Sequence, residues 1–195
     1  MIIQLIEKMK QLGPVSPALE ERIYAEAFLE EYSAGSIILH HGEVCSKISL
    51  IATGITRTYH ISDGNEITSH ITGEGEIFTA WISYYKQQPS EEIVEALEAT
   101  RMVSLSADSI EQLYLDFPDA NLIGRKQVET ALYLSEKRTQ MMRDLTATER
   151  FKLFVADHPG LLSRVPMKHI ASYLDMSEET LSRVRAKIYR RGKEG

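Results

Sequence analysis

The residues best equipped to recognise another molecule lie near the C-terminus, in the run Ser177-Glu178-Glu179-Thr180-Leu181-Ser182-Arg183-Val184 and the Arg185 and Lys187 that follow. On a helix, Leu181 and Val184 share one face, and Glu178, Glu179, Ser182 and Arg183 project from the other. An Arg183 guanidinium can donate two hydrogen bonds to guanine O6 and N7, a Glu179 carboxylate can accept from a cytosine amino group, and a Ser182 hydroxyl suits either. Lys168, Ser177, Thr180, Arg185 and Lys187 are better placed for phosphates, which add affinity and salt dependence but carry no sequence information.

Holding such a helix against a groove needs a second helix crossing it closely. Over Met167–Val184 the apolar positions Ile170, Ala171, Leu174, Met176, Leu181 and Val184, with small Ala171 at the crossing and a tight turn at Asp175, have helix-turn-helix spacing. Asp175 stands where glycine is usual, and Asp tolerates the left-handed conformation better than most residues. The first helix is expected from Pro166 through Leu174, and the second, capped by Ser177, to about Arg190. Upstream, Thr146 with Glu149 three residues on is a capping-box pattern that starts a helix to about Asp157, where His158-Pro159-Gly160 breaks it.

Before that, Asp119–Leu145 has no proline and only Gly124, and reads as one long helix. Its apolar residues cover a broad face without a strict heptad, which suits either a core helix or contact with a second copy. A helix this long outruns a small domain and favours the dimer. The expected organisation is a sensor over 1–118, a dimerisation helix over 119–145 and a helix-turn-helix domain over 146–195.

The formal net charge of −6 opposes polyanion binding only as an average. From Arg164 to Gly195 eight Lys/Arg stand against four acids, so this end carries +4 and residues 1–163 carry −10. Any DNA contact is therefore expected at the C-terminus. The first residues, MIIQLIEKMK, show no cleavable signal pattern, and no apolar run is long enough to span a bilayer, which predicts a soluble, cytoplasmic protein with no membrane partner.

Ser16-Pro17 with Glu20 and Glu21 marks a short helix to about Glu31. From Gly35 to about Asp108 the chain changes to short segments such as SIILHH, KISLIA, ITRTYHI and EITSHIT, with Asp63-Gly64 as a hairpin turn. The fold class is α+β: an antiparallel β-roll of jelly-roll type, a long connecting helix and a C-terminal helix-turn-helix.

Ser177-Glu178-Glu179-Thr180-Leu181-Ser182-Arg183-Val184 resembles the recognition helix of the Crp/Fnr family, relatives of the cyclic-AMP receptor protein, and Glu179-x-x-Ser182-Arg183 is similar to its Fnr-like branch. Gly35-Ser36-Ile37-Ile38, Gly42-Glu43, Gly54, Asp63-Gly64 and Gly75-Glu76-Ile77-Phe78 look like successive corners of that family's cyclic-nucleotide-binding roll. The resemblance implies a homodimeric transcription regulator that binds a palindromic operator on double-stranded DNA and works with RNA polymerase. By the same resemblance Glu178, Glu179 and Arg183 fall at base-contacting positions, joined by Ser182.

The sensor departs from the family pattern. Where relatives grip ribose with Gly-Glu, this chain has Thr79-Ala80, and where they neutralise phosphate with Arg followed by Ser or Thr, it has Ser90-Glu91. Acidic Glu91 and Glu92 without an arginine would repel a cyclic phosphate, so cyclic AMP is not expected to bind. Cys45 stands alone, too few for an iron–sulfur cluster, and reads as a buried structural thiol. His40 and His41, with Glu43, faintly suggest a cupin metal site, but neighbours on a strand face opposite ways, so one is expected packed and the other solvated. No metal or cofactor is expected. Phe78, Trp81, Tyr84 and Tyr85 are candidates for lining an apolar effector pocket, with core filling as the simpler reading, and the effector, if there is one, stays unidentified. Two other readings remain: a β-roll ligand-binding or interaction module whose helices dock protein, and a cupin-type enzyme, for which no convergent nucleophile and base are present.

Overall fold

The structure, a computed structural model, describes residues 1–191, with side chains described through Ile188. Helices α1 (Ile2–Leu12) and α2 (Pro17–Glu26) precede eight strands: β1 (Phe28–Tyr32), β2 (Ile37–Leu39), β3 (Lys47–Thr53), β4 (Thr56–Ser62), β5 (Asn65–Thr72), β6 (Ile77–Phe78), β7 (Ile93–Ala96) and β8 (Thr100–Ser106). A short α3 (Trp81–Lys86) interrupts them between β6 and β7. Then follow α4 (Ala107–Asp116), α5 (Pro118–Asp144), α6 (Ala147–Asp157), α7 (Met167–Tyr173) and α8 (Glu178–Arg191).

The strands form two antiparallel sheets, β1-β8-β3-β6 and β2-β7-β4-β5, which make up the roll. Asp63 and Gly64 both take positive φ, 50° and 77°, folding β4 back on β5 so that Ser62 meets Asn65.

Sequence reasoning carried the α2 helix too far. It stops at Glu26, and Phe28–Tyr32 instead pairs along β8 from Ser104 to Thr100. Local helical propensity loses here to a ladder whose partner lies about seventy residues away, which no local pattern announces. Helices α1, α3 and α4 were not assigned from the sequence. In α1, Leu5, Ile6 and Met9 line one face and are buried, a helical period that the short opening segment did carry.

Two cores result. In the first, Leu50, Val103 and Leu105 on one face of the β3–β8 sheet pack against Ile6, Ile23 and Leu113 of the flanking helices. The second joins Phe151, Phe154, Ile170, Leu174 and Leu181 of the C-terminal helices to Ile55 and Ile71 of the roll. Helix α5 connects them, burying only Ala120 and Ile123 while Val128, Leu132, Tyr133 and Leu134 stay exposed. No helix among the described residues is long and apolar enough to cross a membrane.

Candidate nucleic-acid interface

The capping box at Thr146 forms: its hydroxyl accepts from the Glu149 backbone N–H, while the Glu149 carboxylate accepts from the Thr146 backbone N–H at 2.9 Å. Downstream, α7 ends as the Leu174 N–H donates to the Ile170 carbonyl, and Asp175 takes φ 52°. This is the left-handed turn required between two crossing helices, and Met176 N–H closes it on the Ala171 carbonyl at 3.0 Å. Ser177 Oγ then accepts from the Thr180 backbone N–H at 3.1 Å and caps α8. Ile170, Ala171, Leu174, Leu181 and Val184 are buried, and Met176 is half-buried at the edge of the same core.

A residue missed by sequence reasoning braces this turn. Arg150, on α6, donates to the Asp175 carbonyl at 3.0 Å and to the Leu145 carbonyl at 3.4 Å, tying the turn to the end of α5. Arg138 of α5 likewise stacks on the Tyr173 ring, 3.9 Å from its centroid, and donates to the Tyr173 carbonyl.

The outer face of α8 stands clear of protein. Glu178, Glu179, Ser182, Arg183 and Lys187 are exposed, and Glu179 and Arg183 are joined in an ion pair across one turn. Among the proposed phosphate contacts, Lys168 and Ser177 are exposed, while Thr180 is half-buried with its hydroxyl engaged by Ser177. Arg185 is half-buried and its Nε is enclosed without a partner among the described residues. The charges at Arg190, Arg191, Lys193 and Glu194 lie outside the residues whose side chains are described.

The helical pair is docked on β5. Ser172 Oγ accepts from the Thr68 backbone N–H at 2.8 Å and donates to the Glu66 carbonyl. Beneath this contact Arg57 is buried, its Nε donating to Thr68 Oγ1 at 2.9 Å and its guanidinium paired with Glu66 at 2.7 Å. His169 is buried beside them, and burial, reinforced by the Arg57 and Lys168 charges, pushes its imidazole down to about 4. Arg164, one of the eight basic residues at this end, binds Glu74 and Glu98 of the roll and holds the Glu74 carboxyl down to about 2. Replacing Arg164 by Ala is expected to cost less than about 1 kcal/mol, because the pairs are partly solvated. Denaturant titration checks this, and faster amide exchange in α7 should accompany it.

Within the roll, Ser90 is buried with its hydroxyl on the Glu92 backbone, while the Glu92 carboxylate accepts from Ser69 Oγ at 2.7 Å. Thr79 Oγ1 donates to the Lys47 carbonyl, and Cys45, buried as expected, sits 3.2 Å from it. His40 and His41 depart from expectation: both are exposed, because they follow β2 in a turn where strand alternation no longer applies. No group of three or more metal-ligating side chains occurs among the described residues.

Trp81, Tyr84 and Tyr85 line a cavity of about 410 Å³ between α3, α4, α5 and the outer face of the β3–β8 sheet. Phe78 is not among its walls. Ile77 points into the cavity, and its neighbour on the strand must face the other way.

A family model described as "Cyclic nucleotide-binding domain" matches residues 29–117. Those residues are similar to that family. Solved structures match along most of the chain. FixK2 from Bradyrhizobium japonicum is 22% identical, over 85% of this chain and 86% of that one, with a TM-score of 0.72. The c-di-GMP responsive global regulator CLP of Xanthomonas campestris is 19% identical, over 88% and 91%, with a TM-score of 0.67. A protein assigned to the Crp/Fnr family from Eubacterium rectale is 17% identical, over 91% and 85%, with a TM-score of 0.68. The chain therefore shares the fold of these proteins, and its stretch 29–117 is similar to the cyclic nucleotide-binding domain. A search of curated proteins gave no match.

Proposed function

We propose that the chain is a DNA-binding transcription regulator that grips a palindromic operator as a homodimer, with α8 in the major groove. The observation that carries this reading is the two-sidedness of α8: Leu181 and Val184 fix it in the second core, while Glu178, Glu179, Ser182 and Arg183 face outward on its first two turns. A helix so held presents side chains to base edges, with its N-terminal end leading. The fold likeness to regulators supports the same reading. Sensor, dimerisation helix and DNA-binding domain are assigned to 1–118, 119–145 and 146–195, and RNA polymerase is the expected further partner.

Dimerisation is assigned to α5, where Val128, Leu132, Tyr133 and Leu134 leave an apolar surface uncovered. Two-fold symmetry places half-sites about one helical turn of DNA apart. Selection of random duplex DNA on the purified protein tests this directly. An enriched inverted repeat is expected, and no enrichment together with no salt-dependent binding would favour a helical pair that docks protein.

Phosphate contact predicts a second result. Lys187→Ala should weaken binding to all sequences alike and reduce the slope of log affinity against log salt by about 1. A loss confined to the operator would reject the phosphate role.

The cyclic nucleotide-binding domain is not, on this reading, controlled by cyclic AMP. Ser90 hydrogen-bonds backbone, Glu91 is exposed, and with Glu92 beside them this segment offers a cyclic phosphate carboxylates and no arginine. Calorimetric titration with cyclic AMP or cyclic GMP is expected to show no saturable heat, and micromolar binding would overturn this assignment.

A further inference from the structure

We propose that the cavity behind α3 is a binding site for a small, neutral, largely apolar molecule, separate from the nucleotide position in the roll. The site has two walls of different origin. One is sheet, with Ile48 and Leu50 of β3; the other is helical, with Leu12 of α1 and Ile123 of α5. None of Thr79, Ala80, Ser90, Glu91 or Glu92, the positions where the family's nucleotide contacts would fall, lines it. Glu91 and Glu92 lie in the segment beside β5, to which Glu92 is bonded, whereas the cavity rests on β3 and β8.

Volume and chemistry select the occupant. About 410 Å³ is the size of a small-molecule pocket, typically ~300–1,000 Å³. The buried walls are mostly aliphatic, with the buried Ser49 hydroxyl already bonded to Ser104, and the charged lining residues, Asp108 and Glu111, are exposed. Two carboxylates at the mouth oppose an anion. Tyr84 and Tyr114 phenols, both held up by burial, Tyr84 to about 12, remain protonated and are hydrogen-bond donors among the lining residues. Tyr114 is kept in place by Gly124: a Cβ there would lie 2.2 Å from its hydroxyl. Since Ala120, Ile123, Gly124 and Val128 of α5 form one wall, occupancy bears directly on the helix assigned to dimerisation. The site does not depend on what α8 binds.

Trp81, the only tryptophan in the chain, lines the cavity and reports on it. The full chain is titrated with N-phenyl-1-naphthylamine, a neutral aromatic amine that accepts energy from tryptophan. Saturable quenching of Trp81 at one probe per chain is expected. Leu12→Phe and Ile48→Phe, which fill the cavity from opposite walls, should each weaken binding at least tenfold, and circular dichroism melts show whether each variant is folded. His70→Phe, on β5, should leave binding unchanged. The anionic 8-anilinonaphthalene-1-sulfonate, of similar ring size, should bind at least tenfold more weakly. Non-saturable quenching, equal binding by both folded filled variants, or loss on His70→Phe would overturn the site. Equal affinity for the sulfonate would overturn the selection for a neutral ligand.

Discussion

Between pH 6.5 and 4.5 the protein is expected to lose about 2–3 kcal/mol of stability, and His169→Gln should remove most of that loss. The unfolded imidazole takes a proton near its ordinary value of 6.5, whereas in the docked interface His169 does so only near about 4. Its stabilising contribution is therefore complete above 6.5 and declines as pH falls toward the folded value, because the unfolded state gains a proton that the folded state refuses. Two pH units at about 1.4 kcal/mol each set the magnitude. Burial is the main cause, and the charged groups near His169 are Arg57 on β4, Glu66 on β5 and Lys168 on α7. His70 is also lowered, but it is exposed on β5, so solvent screening leaves at most a small residual slope of the same sign in the variant. Depressed carboxyls such as Glu74 and Glu66 act below about 4.5, outside this window. Denaturant titrations at stepped pH, for wild type and His169→Gln, measure the difference. Parallel slopes in the two proteins would remove His169 as the acid-sensitive group.

Arg183→Ala is expected to lower affinity for the operator by about 1–3 kcal/mol, roughly 5- to 150-fold, with random duplex bound as before. The side chain is exposed and paired with Glu179 on the same helix face, an ion pair that costs little to open. Its loss should relax preference at one base pair per half-site, whereas a phosphate contact would weaken all sequences equally. Equal losses on operator and random DNA, read by fluorescence anisotropy at fixed salt, would reject base contact.

The helical pair that carries the proposed interface was legible because its determinants are local. Asp175 in the left-handed conformation, the Ser177 cap and the buried spacing from Ile170 to Val184 each depend on residues within a few positions of one another. The Asp63-Gly64 hairpin was legible for the same reason. Charge counting was less sound. Arg164 was counted toward the basic end, yet it is bound to Glu74 and Glu98 of the roll, and Arg185 is half-buried.

The roll strands could be read from their composition but not from their partners: β1 looked like the tail of a helix until β8 supplied its ladder. The aromatic cluster was similarly half legible. Trp81, Tyr84 and Tyr85 do face one cavity, but that cavity is made by α1, α4, α5 and the back of a sheet, and strand alternation turns Phe78 away.

By itself, then, the sequence determined what neighbouring residues decide among themselves: turns, caps, helical faces and the β character of the middle. Tertiary structure alone decided what depends on groups brought together from distant segments. Arg57 from β4, Glu66 from β5 and Ser172 from α7 meet at one interface, and the desolvation that displaces His169 is a property of that meeting rather than of any one segment.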